Sequence, residues 1–161
     1  MPRFGQSKKR RFSKLKKRIE SFFAPELDLR VYCTVLHYST THWEWDDPRF
    51  WIVLDKETIF DFIKDFKGMH IYDEGIGDIP IYYELITEIT DIIHEYIETP
   101  TGKLFDCVFQ KDIYGLSDIL KAADRRIGKK TLLLLKDRTD SEAVKKIIDA
   151  RLSNGKGEAR A

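Results

Sequence analysis

The sequence predicts an α+β fold: a small antiparallel three-stranded sheet at about 28–63, preceded by a basic helix and followed by a long acidic helix (81–98) and a C-terminal helical group (115–152). Three observations carry this expectation. Residues 29–38 alternate at period two, the pattern of a half-buried strand. Two short apolar segments flank the charged triplet at 55–57, as in a β-hairpin. Apolar residues then recur at the 3.6-residue helical period through 82–96 and 144–152.

The chain has 161 residues, 42% hydrophobic and 34% charged, enough for one sizeable core in a globular protein. It reads as a single domain over 1–161, with 1–11 and 153–161 as flexible tails. The net charge of +1 conceals a strong asymmetry. Residues 1–18 hold nine bases and no acid, 19–102 hold five bases and eighteen acids, and 103–161 hold fourteen bases and nine acids. Cys33 and Cys107 lack the spacing of a zinc or redox pair, which fits a reducing compartment. No apolar run approaches the roughly 18–20 residues of a membrane helix, and no apolar region follows the basic N-terminus as in a secretory signal. A cytoplasmic protein without membrane association is expected.

In chain order, a helical period begins at Phe12 and runs through Leu15, Ile19, Phe22 and Phe23, with Lys14, Lys16, Lys17 and Arg18 between or opposite; Pro25 ends it. The strand at 29–38 places Leu29, Val31 and Cys33 on one face and Arg30, Tyr32 and Thr34 on the other. Residues 40–48 read as a polar, aromatic loop, 50–54 and 58–63 as strands, and 64–78 as an irregular connection. Pro80 is expected in the first turn of the acidic helix, where its missing N–H costs little. That helix carries Glu84, Glu88, Asp91, Glu95 and Glu98 outward. Residues 103–109 suggest one or two helical turns.

The stretch 115–130, GLSDILKAADRRIGKK, has every mark of one helix and its ends. Ser117 is placed to cap it, Asp118 and the pair Arg125–Arg126 complement the dipole, and Gly128 suits its closure. The leucine-rich 129–138 is expected to be helical because leucine favours helix and β-branched residues are missing. Thr139 and Glu142 have capping-box spacing ahead of a last helix lined by Val144, Ile147, Ile148 and Leu152.

Charge supplies the main functional signal. Lys8, Lys9, Arg10, Arg11, Lys14, Lys17 and Arg18 form a basic arm of the kind that neutralises phosphates and binds nucleic acid without sequence preference. The competing account is that its basic side docks on the acidic middle of the same chain. Arg125, Arg126, Lys129 and Lys130 form a second cluster, suited to a phosphate or an acidic protein, or to dipole complementation and solubility alone. His42, Trp43 and Trp45 crowd the 40–48 loop beside carboxylates and make a candidate pocket for a small enzyme or ligand binder, unless the tryptophans fold back over the sheet. His37, His70 and His94 have no ligand or triad spacing. No phosphate-cradling glycine loop, nucleophile elbow or paired-carboxylate motif is present, so no catalytic residue, metal or cofactor is assigned. The reading is a non-enzymatic binding protein engaging nucleic acid or an oppositely charged protein.

The segments DPRFWIVLDKETIFDF (47–62) and GLSDILKAADRRIGKK (115–130) resemble a family of small bacterial proteins without assigned function, some carried on mobile gene cassettes. The resemblance implies a bacterial cytosolic protein with an α+β fold over most of the chain. It implies no activity and transfers no site residues.

Overall fold

The period-two alternation produces strand β1 (Leu29–Ser39), which pairs antiparallel with β2 (Glu44–Leu54); β2 in turn pairs with β3 (Glu57–Asp61), giving the sheet order β1-β2-β3. This computed structural model describes residues 4–39, 41, 44–62, 70–75, 77–80, 85–110 and 112–158. The register runs from Leu29 opposite Leu54 to Ser39 opposite Glu44. Leu29, Val31, Phe50, Ile52 and Leu54 are buried on the core face, while Arg30 on the other face is exposed. The β2–β3 turn is made by Asp55 and Lys56, with φ of 49° and 69°, the left-handed geometry that two-residue hairpins need at both central positions. A bulge follows: Ile52 faces Phe60 and Val53 faces Thr58, leaving Ile59 as the extra residue.

Two expectations are corrected in this region. The stretch 44–48 is strand rather than loop, so β2 starts six residues before Phe50. Pro48 is tolerated there because β3 pairs only with Trp51–Leu54, leaving β1 as the described neighbour of this part of β2. The second correction concerns 64–78, read as irregular. It contains β4 (His70–Asp73), which forms a hairpin with β5 (Gly77–Pro80). Pro80 therefore lies in a strand opposite His70, not in the first turn of a helix.

Helix α1 spans Phe4–Glu20 and so starts well before Phe12. Phe12, Leu15 and Ile19 are buried, and the helix packs against β1 and α2 (Leu85–Glu98). The first four residues expected of α2, 81–84, lie outside the described residues. Its period is as expected, with Ile89, Ile92, Ile93 and Tyr96 all at 1% exposure or less. Where one or two helical turns were expected over 103–109, a 3₁₀ turn (Thr101–Lys103) leads into a turn in which the Cys107 N–H donates to the Lys103 carbonyl, and Leu104 is buried.

The stretch 115–130 is not one helix. α3 (Leu116–Ala123) stops at Asp124, whose backbone is extended and bridges to Phe23. The Ala24 N–H donates to the Ala123 carbonyl and the Arg125 N–H to the Phe22 carbonyl, both at 2.8 Å. Arg125 and Arg126 thus sit in the turn before α4 (Lys129–Arg138), and Gly128, extended at φ −80°, opens α4 rather than closing α3. Ser117 is not the cap. It is buried within α3, and the Asp112 carboxylate accepts the backbone N–H groups of Tyr114, Leu116 and Ser117 instead. Gly115, at φ 78°, makes the left-handed turn between that carboxylate and the helix.

α4 is helical as expected, burying Leu132 and Leu135 and exposing Leu133 and Leu134. α5 (Glu142–Glu158) is capped by Ser141, whose Oγ accepts the Val144 N–H, and not by Thr139, which terminates α4. Val144, Ile147 and Ile148 are fully buried beneath α3 and α4. Buried residues of α1, the three-stranded sheet and α2–α5 form one cluster.

Cys33 packs at the margin of that cluster, and burial pushes its thiol up to about 11. In a Cys107→Ser background, alkylation at mildly alkaline pH is expected to be about a hundredfold slower for the folded than for the unfolded chain, because rate follows the thiolate fraction. The unfolded chain ionises this thiol first, so stability present below pH 9 declines as pH rises towards about 11. Equal labelling rates for the two states would refute the assignment.

Candidate functional site

Helix α1 docks through its apolar stripe, and Lys14, Lys17 and Arg18 on its other side are exposed. Among the described residues no ion pair joins these three to α2, whose Glu95 and Glu98 also face solvent. Lys8, Lys9, Arg10 and Arg11 lie in the same helix, with Arg10 and Arg11 one turn before Lys14. Lys16 differs: its Nζ is 3.8 Å from Glu20 and 4.3 Å above the Tyr32 ring. Glu20 lies 4.0 Å from Arg30 as well, yet burial raises its pKa above the usual carboxylate range against the pull of both cations.

The second cluster is divided. Arg126 is drawn inward by Asp124, which is completely buried. Its Nε and Nη2 donate to the Asp124 carboxylate, Nη2 at 2.7 Å, and its guanidinium lies 4.2 Å from the Phe22 ring centroid. The Tyr96 hydroxyl donates to the same carboxylate at 2.7 Å. Arg126 is therefore structural. Arg125 is exposed and tied by its backbone to Phe22, at the C-terminal end of α1. Lys129 and Lys130 are exposed in the first turn of α4, where the helix dipole opposes rather than favours cations. For these two lysines the dipole complementation expected of the cluster is absent.

Of the candidate pocket at 40–48, residues 44–48 are strand. Trp45 lies in β2 opposite Tyr38, and His42 and Trp43 lie outside the described residues. A cleft of about 250 Å³ lies elsewhere, lined by Phe105, Cys107, Asp118, Lys121 and Arg138 among others. Lys121 is buried there, its Nζ donating to the carbonyls of Phe105 at 3.5 Å and Cys107 at 3.3 Å and sitting 3.7 Å from Asp118. These bonds tie the 105–109 segment to α3. Among the described residues no group of three or more His, Cys, Asp or Glu could hold a metal ion, and no helix is long and apolar enough to cross a membrane.

Residues 11–80 match the SF0329 protein family. The match is to an uncharacterised family and covers somewhat under half of the chain, from α1 to β5. It includes the stretch 47–62 that carried the resemblance and excludes 115–130. No curated protein and no solved structure matches the chain.

Sequence reasoning missed Asp124, Asp112 and Lys121. Asp124 lies in the motif Asp124-Arg125-Arg126, but its partners at Phe23 and Tyr96 are remote in sequence. Asp112 stands three residues before Gly115, a turn signal that was readable as a cap.

Proposed function

We propose that the protein is a non-enzymatic binding protein that engages nucleic acid through the basic face of α1. The observation that supports this reading is the docking of α1 by Phe12, Leu15 and Ile19, which leaves Lys14, Lys17 and Arg18 directed at solvent. A basic helix held by its apolar side presents its cations without further cost for ordering the backbone, and each phosphate they neutralise releases counterions. Arg125 adds a further exposed cation near the end of the helix. An acidic protein surface is the competing partner. Nucleic acid is favoured because the cations repeat along one helix, as a phosphate backbone does.

The test is binding of the full chain to random-sequence DNA and RNA across a salt series. A steep loss of affinity with salt is expected. The triple variant Lys14→Gln, Lys17→Gln, Arg18→Gln should shallow the logarithmic salt slope by roughly one unit for each phosphate contact removed. Absence of any salt-dependent shift, or an unchanged slope in the triple variant, would defeat the proposal.

A further inference from the structure

We propose that the face of the β1–β2 ladder turned away from the core, centred on Tyr32 and Trp51, is a base-stacking platform that makes the ligand single-stranded nucleic acid. The inference rests on the nucleic-acid reading of α1 and names its substrate class. Tyr32 and Trp51 face each other across the ladder, between the core-facing pairs Val31–Ile52 and Cys33–Phe50 of the opposite face. Their rings stack at 5.3 Å between centroids with an interplanar angle of 16°, and both side chains remain partly exposed. The flanking pairs on that face are Arg30 with Val53 and Thr34 with Arg49; both arginines are exposed and both are already engaged, Arg30 with Glu20.

Tyr32, stacked on Trp51 and overlain by Lys16, backs the Trp51 ring, and a π surface beside cations suits unstacked bases on a phosphate chain, since every base has a π-face and stacking is tolerant of sequence. A duplex hides its bases and would use the cations alone. The platform is continuous with α1, because Lys16 reaches over the Tyr32 ring and Lys17 follows it on the helix towards Lys14 and Arg18. Among the described side chains two acids also border it. Glu20 is engaged with Lys16 and Arg30, and Asp61 stands opposite Trp51 in β3, itself bonded. A cross-strand aromatic pair would stabilise the sheet in any case. The cations on its solvent side, joined to the exposed basic helix, direct the assignment to a polyanion with free bases.

The experiment measures anisotropy of labelled oligo-deoxythymidylate, oligouridylate and a DNA duplex of equal length with the full chain. Tighter binding of either single strand than of the duplex is expected. Tyr32→Ala and Trp51→Ala should each weaken single-strand binding by about tenfold or more while duplex binding is unchanged. A second readout leaves Tyr32 and Trp51 in place: with Trp43→Phe and Trp45→Phe, Trp51 is the sole tryptophan, and its emission should be quenched by the single strands and not by the duplex. Equal or tighter duplex binding, or unquenched Trp51 at saturation, overturns the platform and leaves the basic-helix reading standing. No binding to any of the three probes overturns both.

Discussion

Asp124→Ala is expected to destabilise the protein by about 3–5 kcal/mol, the cost of removing one partner from a buried ion pair. Asp124 has no exposed surface and accepts from the Tyr96 hydroxyl and from both the backbone and the guanidinium of Arg126. Alanine would leave these donors facing a void. The electrostatics agree in direction. Burial, then the Asp124 charge, pushes the Tyr96 hydroxyl far above its ordinary range, so it stays a donor; the hydrogen bond to Asp124 is the main cause of the raised Arg126 pKa. Arg151 closes the arrangement from α5, donating to the carbonyls of Ala122, Asp124 and Ile127. Asp124→Asn keeps the volume and should cost about 1.5–3 kcal/mol, the worth of charged hydrogen bonds. Urea unfolding measures both. An alanine variant within about 1 kcal/mol of the parent would mean that the carboxylate is not what holds this junction.

The second large effect is expected at Phe50, where alanine should cost about 3–5 kcal/mol and leucine about 1–1.5 kcal/mol. Phe50 is 2% exposed and meets Phe12 of α1 edge-on at 6.0 Å and Phe60 of β3 at 6.1 Å. The cavity would open between the sheet and the basic helix. Hydrogen exchange should therefore show lost protection in α1 beyond the change in global stability, and nucleic-acid binding should weaken with it. If α1 keeps its protection in Phe50→Ala, its docking does not depend on this contact.

These effects also indicate which parts of the fold were legible beforehand. The β1 alternation, the α2 and α5 faces and the 129–138 helix are local patterns, and each appears in the structure. The errors came where a local signal has two meanings. Proline suits a helix start and also the end of a short strand, and Pro80 takes the second. Arg125, Arg126 and Gly128 imitate a helix C-terminus, while the actual break at Asp124 is imposed by pairing with Phe23, a hundred residues away, and by a carboxylate whose partners no period reveals. Of the candidate site, the cations of α1 were legible because they follow the helical period. Their exposure was not, since it depends on which face finds the core. The Tyr32–Trp51 pair depends on the strand register, which periodicity leaves open.

The clasp between residues 22–24 and 123–125 also bears on how the chain can be divided. The region shared with the SF0329 family ends at Pro80, yet the end of its first helix is bonded to the exit of α3, and Ile19 shares a core with Ile92 and Ile147. The matched segment is therefore not a self-contained packing unit. Its apolar faces are completed by the helices that follow, so the boundary of the family match falls where the core itself does not divide.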